Sequence, residues 1–260
     1  MTMQLLVAAM NTEPLKLAEE MQLDSDAIIV NQTDTYAYQE IEYKGHTLKC
    51  FSMAERGVGL SRTHALLRAD HDISVFADED IVYVQDYEKK ILEAFEQHPQ
   101  ADMLLFYVQA MPGRETYDIK EFGRVRSYNC GRYPTYSFAV RTEAAHKRNI
   151  TFSLLFGGGA RYSNGEDSLF IQECIKKGMK VYKVPVTIGA ERERESTWFQ
   201  GYNRKFFYDR GVLYHHLYGR LKKIMAVRFL LKHKHQMFEE IPMKDAWRIM
   251  CEGMKEAAEE

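Results

Sequence analysis

The stretch HDISVFADEDIVY, residues 71–83, sets the fold class because a strand-like apolar run leads directly into three acids. The run is typical of a buried strand. Asp78, Glu79 and Asp80 come next, and burying three neighbouring carboxylates is costly because like charges repel and each charge loses its hydration. We expect the acids to lie at a strand end and to face a positive group, with a solvated turn as the alternative.

Strand-like and helix-like segments alternate around this stretch. The sequence predicts strands in MQLLVAAM, DAIIVNQ, TLKCFSM, DISVFADED and ADMLLFYVQAM, in that order. It predicts helices in NTEPLKLAEEMQ, GLSRTHALLRA and QDYEKKILEAFEQHP. Such alternation over about the first 110 residues predicts an α/β protein with a doubly wound, mostly parallel sheet. In these sheets ligands bind at the carboxyl ends of the strands, which is where the acids fall if Phe76 ends the fourth strand.

Beyond residue 111 the alternation weakens. Residues 112–140 are rich in Gly, Arg and Tyr and indicate an inserted or rim region. Residues 156–186 contain a glycine loop, a helix that opens with acids and another strand, and the remainder is predicted as a loop followed by helices. We predict one domain over residues 1–215 and a helical C-terminal extension over residues 216–260.

Composition narrows the class of protein. A formal net charge of −2 argues against a general nucleic-acid-binding protein, and a hydrophobic content of 45% allows a sizeable core. No apolar run approaches the roughly 20 residues that span a bilayer, and we expect the N-terminus to form a strand rather than a signal peptide. The four scattered cysteines favour free thiols in a reducing compartment. We therefore expect a cytoplasmic protein with no nucleic-acid partner.

Asp78 and Asp80 are spaced so that an extended chain points both side chains the same way. Two such carboxylates suit a hard cation, Mg²⁺ or Mn²⁺, which commonly binds substrate phosphates as well. A calcium loop of the EF-hand type is excluded, because Tyr83 and Lys89 stand where that loop needs Gly and Glu. The pair therefore predicts a site for a divalent cation and phosphate.

A second acidic point lies in NGEDSLFIQECIKKG, where Glu166 and Asp167 fall in the first turn of a predicted amphipathic helix. Acids at this place stabilise a helix through its dipole and its free N–H groups, which is the simplest interpretation. With Gly165 they also leave open a phosphatase of the haloacid-dehalogenase type, which follows its Asp-x-Asp with a second acidic motif. The presence of two acidic points favours a function over capping alone.

Three segments resemble family 2 glycosyltransferases of the GT-A fold. ERGVGLSRTHALLRADHDISVFADEDI resembles their Gly-x-Ser/Ala-x-x-Arg helix and the strand that ends in Asp-x-Asp. NGEDSLFIQECIKKGMKVYKVPV resembles their later Glu-Asp helix and the strand after it. ESTWFQGYNRKFFYDRG resembles a Trp-containing loop of a bacterial subgroup.

The resemblance spans most of residues 3–215 and implies a Rossmann-like GT-A domain. It implies transfer of a sugar, with inversion, from a nucleotide diphosphate donor to an acceptor hydroxyl. The expected donor is UDP-linked and the expected acceptor is a glycan or lipid-linked glycan in cell-surface assembly. The nucleotide-sugar half would cover about residues 1–111, and the acceptor half about residues 112–215.

The resemblance also implies roles for single residues on the nucleotide side. The base and ribose would meet the ends of the first two strands at Ala8, Ala9, Asn11, Asn31 and Gln32. Arg62 would lie near the sugar donor. Asp78, Glu79 and Asp80 would bind the metal and diphosphate, with Asp80 favoured over Asp78 as the direct metal ligand. The competing interpretations are packing for Ala8 and Ala9, a turn for Asn31 and a surface charge on an amphipathic helix for Arg62.

On the acceptor side, Asp167 would be the general base that deprotonates the acceptor hydroxyl. Glu166 and Trp198 would lie beside the acceptor, although a large aromatic side chain is as often simply packed. One stretch departs from the family pattern, because IGAERERESTW lacks the histidine that often adds a metal ligand in this subgroup. Glu191 or Glu193 could replace it. The departure keeps open a non-catalytic module that binds a nucleotide sugar or glycan without turnover.

The segment from Gln200 to Gln236 is basic, with nine Lys or Arg residues and one acid. Five apolar residues recur in it at helical spacing: Leu217, Leu221, Ile224, Val227 and Leu231. They predict an amphipathic helix. Such a helix could pack on the domain with a solvated basic face, or dock on an anionic membrane leaflet. The second interpretation suits a lipid-linked acceptor and a peripheral position at the inner face of the membrane.

Overall fold

The computed structural model describes residues 1–113, 115, 117–192 and 201–259, and ten strands of this part form one sheet. The strands are β1 (Met3–Met10), β2 (Asp26–Gln32), β3 (Ala37–Tyr43), β4 (His46–Met53), β5 (Ile73–Asp78), β6 (Ile81–Tyr83), β7 (Met103–Gln109), β8 (Gly123–Arg124), β9 (Phe138–Arg141) and β10 (Val181–Glu191). The helices are α1 (Pro14–Glu20), α2 (Val58–Arg68), α3 (Tyr87–Gln97), α4 (Thr142–Lys147), α5 (Glu166–Lys176), α6 (Arg204–Tyr218), α7 (Lys222–Lys232) and α8 (Met243–Glu259). The strand order is β3-β4-β2-β1-β5-β9-β7-β10-β6, with β8 paired to β10.

The parallel part of the sheet brings four strand ends to one edge. β4, β2, β1 and β5 are parallel neighbours in that order. Their register places Ala8 beside Asp78 and Ala9 beside Asn31. The predicted α/β class with a mostly parallel sheet and helical C-terminal part is confirmed. β5 runs on to Asp78 instead of ending at Phe76, so the first acid belongs to the strand itself.

Two strands differ from the sequence-based prediction. β3 forms an antiparallel hairpin with β4 through Lys44 and Gly45, which both have positive φ, so the acidic strand is the fifth and not the fourth. β9 lies antiparallel between β5 and β7, although its segment was predicted as an inserted or rim region. Its residues Phe138, Ala139 and Val140 are fully buried. A run this short shows no periodicity of its own, and its central position is set by its two neighbours.

The sheet separates two apolar cores. One core contains Leu5 and Val7, and the other contains Leu6 and Phe76. Successive side chains of a strand point to opposite faces, so continuous apolar runs are what strands buried on both faces require. The four cysteines are free, as predicted. Within the described ranges, no helix combines the length and apolar character that crossing a membrane requires.

A third apolar core joins the C-terminal helices to the glycine loop. It contains Phe156 from that loop together with residues of α6, α7 and α8. α6 and α8 approach closely at two glycines. A Cβ at Gly211 would lie 2.1 Å from the carbonyl oxygen of Met250, and one at Gly253 would lie 2.3 Å from that of Tyr208. The boundary predicted at residue 215 falls inside α6, which packs on α5 at one side and α8 at the other.

The apolar stripe predicted from Leu217 to Leu231 does not form one helix. α6 ends at Tyr218, Gly219 follows with a φ of 50°, and α7 begins after a short 3₁₀ turn. Leu217 is buried in the third core, whereas the other four residues of the stripe are exposed. The prediction of a continuous helix was wrong because a glycine in the left-handed region ends a helix.

Candidate active site

A buried arginine joins the two acidic segments. Arg62 lies in α2, and only 5% of its side chain is exposed. Its guanidinium donates to Asp78 Oδ1 at 2.6 Å and to Glu166 Oε1 at 3.0 Å. The ring of Phe152 lies 5.6 Å from the guanidinium carbon. The positive group that the strand-end acids were expected to face is therefore Arg62, which also reaches the start of α5.

The guanidinium keeps its charge in this environment. Burial alone would disfavour the charged form, but Asp78 and Glu166 outweigh it, so the pKa of Arg62 lies above its usual value. A buried ion pair of this kind is stable only when its remaining polar atoms are satisfied. Arg62 Nε has no hydrogen-bond partner among the described residues. One buried N–H is thus left over beside the acidic strand end.

Two glycines bring the start of α5 close to this arginine. Gly165 precedes α5 with a φ of 114°, and a Cβ there would lie 2.6 Å from the side chain of Leu213. Gly157 has a φ of 103°, and a Cβ there would lie 2.9 Å from Glu166 Cδ. Glycine alone adopts such angles without strain and leaves room for these contacts. The glycine loop and α6 therefore hold Glu166 against Arg62.

Asp167 is an unusual acid for the first turn of a helix. Burial, followed by the neighbouring charge of Glu166, raises the pKa of its carboxyl to about 7. Its Oδ1 accepts from the backbone N–H and the hydroxyl of Ser168, at 2.6 and 3.2 Å. Its Oδ2 has no partner in the described part of the chain. A carboxylate that only stabilised the helix dipole would have a lowered pKa, so the pure capping interpretation loses support.

The residues predicted to meet the base and ribose lie at the ends of β1 and β2. Asn31 is buried, and its amide both accepts from Thr12 N at 3.3 Å and donates to Thr12 O at 2.7 Å. Gln32 Oε1 accepts from Gly57 N at 2.8 Å, which fixes the start of α2. These two amides hold loops, so they would shape a nucleotide site indirectly.

The other three predicted residues of this edge line the end of β1. Ala8 and Ala9 are buried small residues, and Asn11 is exposed with a φ of 51°. The backbone N–H of Asn11 donates to the carbonyl oxygen of Gln32 at 3.0 Å. Small side chains at a strand end allow a flat ligand to approach the backbone closely. Their assignment to the nucleotide stays a prediction.

Glu79 and Asp80 form the turn between β5 and β6. Glu79 Oε2 accepts from the backbone N–H of Met10 at 3.0 Å and so ties this turn to β1. The carbonyl oxygen of Asp80 accepts from Arg192 N at 2.7 Å, beside the end of β10. Arg192 in turn pairs with Glu20 at 2.8 Å. The acidic turn is thus fixed on both sides by backbone contacts.

Glu191, a predicted substitute for the missing histidine, is engaged elsewhere. Its Oε1 accepts from the hydroxyl of Tyr136, and its Oε2 accepts from Met111 N at 3.0 Å. Burial and this contact raise the pKa of Tyr136 far above its usual value. Glu191 therefore acts as a structural acceptor at the end of β10. Glu193 and Trp198, the other residues predicted in this stretch, lie outside the described residues.

The carboxylates of this site suit a hard cation only if a substrate supplies further ligands. The described ranges contain no group of three or more His, Cys, Asp or Glu side chains arranged around a common metal position. Asp78 and Asp80, the predicted metal ligands, nevertheless place two carboxylates at one strand end. A magnesium ion typically needs one or two carboxylates and takes its other ligands from water and substrate phosphates. The residues present fit that arrangement.

The glycine loop before α5 is folded back on itself. Gly157 N donates to Tyr162 O and Tyr162 N donates to Leu155 O, each at 2.9 Å. The loop also contacts α2, because Val58 N donates to Gly158 O at 3.0 Å. A cavity of about 80 Å³ lies between this loop and the start of α2. The loop was predicted to gate acceptor entry, and that prediction remains for experiment.

Sequence reasoning missed Phe152 and Tyr136, and it identified the glycine loop without the part that Gly157 plays in positioning Glu166. Phe152 and Tyr136 occur in no recognisable motif, and all three residues act through a partner distant in the chain. The Gly-rich run before the acids was the available signal for Gly157. No local signal marks the other two.

Comparison by sequence finds no protein-family model and no curated protein that matches the chain. Comparison by structure finds similar folds. S. aureus TarS 1-349 in complex with UDP-GlcNAc is 15% identical, with a TM-score of 0.68, and the match covers 99% of this chain and 81% of that one. The same TarS fragment in complex with UDP is 16% identical, with a TM-score of 0.61, and the match covers 90% of this chain and 72% of that one.

A further match is the mannosyltransferase PcManGT from Pyrobaculum calidifontis in complex with GDP-Man and Mn²⁺. It is 14% identical, with a TM-score of 0.54, and the match covers 99% of this chain and 75% of that one. The chain therefore has the GT-A fold of glycosyltransferases, which is the fold that the sequence predicted.

Proposed function

We propose that the protein is an inverting glycosyltransferase that moves a sugar from a nucleotide diphosphate sugar to an acceptor hydroxyl. The observation that carries the proposal is the buried Arg62 between Asp78 and Glu166, with Asp167 directly after Glu166. This arrangement gathers a fixed positive charge, a pair of strand-end carboxylates and a base at one edge of the sheet. The GT-A fold, seen in proteins bound to UDP-GlcNAc and GDP-Man, supports it.

Asp167 is the group that takes the acceptor's proton. A hydroxyl is a poor nucleophile at neutral pH, and a general base whose pKa lies near the working pH is the most effective. With a pKa of about 7, Asp167 is ionised in a useful fraction of molecules and is more basic than an ordinary aspartate. A bond forms between the acceptor oxygen and the anomeric carbon as the bond from that carbon to the diphosphate breaks. The electron pair of the broken bond leaves with the nucleoside diphosphate.

The diphosphate meets the end of β5. A bound Mn²⁺ or Mg²⁺, held by Asp80 and Asp78, would stabilise the charge of the leaving diphosphate. Arg62 supports the same end of the site, because it neutralises Asp78 and carries a buried Nε without a partner in the described residues. Anionic oxygens bind strongly to a guanidinium N–H.

The finer parts of the proposal concern donor, acceptor and place. We assign UDP as the nucleotide, Glu166 and Trp198 to the acceptor side, and a glycan or lipid-linked glycan of cell-surface assembly as the acceptor. The protein then works in the cytoplasm at the inner face of the membrane. The basic C-terminal helices support this position, because an anionic leaflet attracts Lys and Arg side chains.

One alternative has an observation in its favour. Both carboxylate oxygens of Glu191 accept hydrogen bonds, one from Tyr136 and one from Met111. The stretch that departs from the family pattern therefore offers no ready third metal ligand among the described residues. A module that binds a nucleotide sugar without turnover would look the same. The haloacid-dehalogenase-like phosphatase loses support, because the matching solved structures described above have the GT-A fold.

A thermal-shift panel of nucleotide diphosphate sugars, with and without Mn²⁺, tests the proposal. Binding stabilises the folded state by RT ln(1 + [L]/Kd), so a true donor at about 100 times its Kd adds roughly 2.7 kcal/mol. Asp80→Ala should abolish the Mn²⁺-dependent part of this shift. The exposed Asp118→Ala serves as the matched control and should keep it. Equal nucleotide affinity in Asp80→Ala and the parent would refute the metal assignment.

Turnover separates an enzyme from a binding module. The donor found in the panel is incubated with candidate acceptors, and release of the nucleoside diphosphate is measured. We expect transfer by the parent and its collapse by about 10²–10⁴ in Asp167→Asn, with donor binding retained. Donor binding without transfer in the parent would identify a non-catalytic module.

A further inference from the structure

The outward face of α7 is apolar. Ile224, Val227 and Leu231 of α7 are exposed, with exposed fractions of 67%, 42% and 54%, and so is Leu221, at 58%, in the 3₁₀ turn directly before α7. We call these four residues the α7 stripe. α7 packs on the third core through Ala226 and Leu230 instead. Because successive helical residues are about 100° apart, these buried positions direct the stripe away from the domain.

Basic residues surround the α7 stripe. Arg220, Lys223, Arg228, Lys232 and Lys234 are all exposed. In the part of the chain that the structure describes, none of these five side chains takes part in an ion pair. Residues 219–236 contain no acid. The surface therefore combines a continuous apolar strip with an uncompensated positive charge.

We infer that this surface docks on an anionic lipid bilayer. α7 would lie in the plane of the interface, with the α7 stripe in the boundary between headgroups and acyl chains and the basic side chains on anionic headgroups. At 11 residues α7 is too short to span a bilayer. A second copy of the chain is a poor occupant, because two such surfaces would bring like charges together.

Other exposed apolar residues of helices and loops occur singly or as an adjacent pair, such as Leu154 and Leu155. Leu67 and Leu15, for example, are exposed on separate helices, and single apolar side chains on a surface are ordinary. The α7 stripe differs because its four apolar residues lie on one face and basic side chains surround them. The inference rests on the membrane position proposed above and names the residues that would produce it. Its test needs neither a nucleotide nor a metal, so docking can fail while sugar transfer stands.

Vesicle sedimentation of the full chain tests the inference. The probes are vesicles of phosphatidylcholine alone and vesicles containing about one third phosphatidylserine. We expect binding to the anionic vesicles, weakened by salt because exposed charges are screened beyond roughly 8–10 Å. In Ile224→Ser/Leu231→Ser the partition coefficient should fall at least about tenfold. Arg228→Gln/Lys232→Gln should lower it roughly 10–30-fold.

Matched controls keep the test specific. Leu67→Ser removes an exposed leucine elsewhere, and Lys180→Gln removes an exposed charge directly before β10. Both should bind as the parent does, and all variants should keep the parent's thermal stability because the changed residues are exposed. Equal binding to both vesicle types, or unchanged binding of the stripe variant, would overturn the inference. So would a dimer in light scattering that dissociates in the stripe variant without any vesicle binding.

Discussion

Asp167→Asn should make the folded protein more stable at alkaline pH while it removes catalysis. Asparagine has nearly the shape of a neutral carboxyl group, but it cannot ionise. In the parent the carboxyl is partly buried beside Glu166, and its pKa is raised from 3.8 to about 7. An ionised Asp167 therefore costs the folded state free energy that the variant avoids. A residue that served only as a helix cap would show the opposite sign.

The size of the effect follows from the two pKa values. Between pH 3.8 and about 7 the folded protein holds a proton that the unfolded chain has lost, so its stability falls as the pH rises, and the loss is complete above about pH 7. Each pKa unit is worth about 1.4 kcal/mol, which sets an upper limit of about 4 kcal/mol. Because Asp167 retains some exposure to solvent, which screens its charge, we expect roughly 1–3 kcal/mol.

Urea unfolding at two pH values measures this difference. Near pH 4 the parent and Asp167→Asn should be about equally stable, and near pH 8 the variant should be the more stable by the amount above. Glu143→Gln is the matched control, because Glu143 also lies in the first turn of a helix. Its hydrogen bond to Lys147 lowers the pKa of its carboxyl, so Glu143→Gln should lose stability at pH 8.

Activity gives the second half of the same test. The transfer rate of the parent should rise as the pH increases through about 7, because Asp167 loses its proton there. The transfer rate of Asp167→Asn should show no such rise. If Asp167→Asn is less stable than the parent at pH 8, Asp167 is a helix cap and the base lies elsewhere. A variant that keeps the full transfer rate would lead to the same conclusion.

Three further changes test the contacts that shape the site. Arg62→Met leaves two carboxylates without their common partner and should lower the free energy of unfolding by about 3–5 kcal/mol in urea titrations; a loss below 1 kcal/mol would contradict the buried bridge. Tyr136→Phe should cost about 1–3 kcal/mol by the same measurement, because it leaves Glu191 with one partner fewer, and an unchanged midpoint would remove that role. Gly253→Leu should detach α8 from α6 and shift calorimetric melting downward by several degrees, since even a Cβ would meet a backbone oxygen at 2.3 Å; normal melting would show that the two helices can move apart.

Much of the sheet could be predicted from local pattern. Continuous apolar runs followed by helical periodicity predict strands buried on both faces, and β1, β2, β4, β5 and β7 occur where the runs lie. The acids after Phe76 could be placed at a strand end because three adjacent carboxylates cannot be buried together without a positive partner. The order of motifs likewise carried the resemblance to family 2 glycosyltransferases. All of these arguments use residues that are close together in the chain.

Contacts between distant residues were decided only by the tertiary structure. Arg62 meets Glu166 across 104 positions, and no pattern on α2 marks which of its polar side chains will be buried. β9 takes a central place in the sheet because two strands flank it, which a four-residue run does not encode. The raised pKa of Asp167 likewise depends on what covers it.

The C-terminal stripe shows the division most clearly. Periodicity identified the apolar residues of α7, since spacing along a helix is a local property. Whether Ile224 and its neighbours face a core or the solvent depends on which other elements pack there, and the structure packs α7 through Ala226 and Leu230 instead. Sequence alone thus determined which residues are apolar and how they are spaced, and the tertiary structure decided which of them remain uncovered, because burial is a property of two surfaces and not of one.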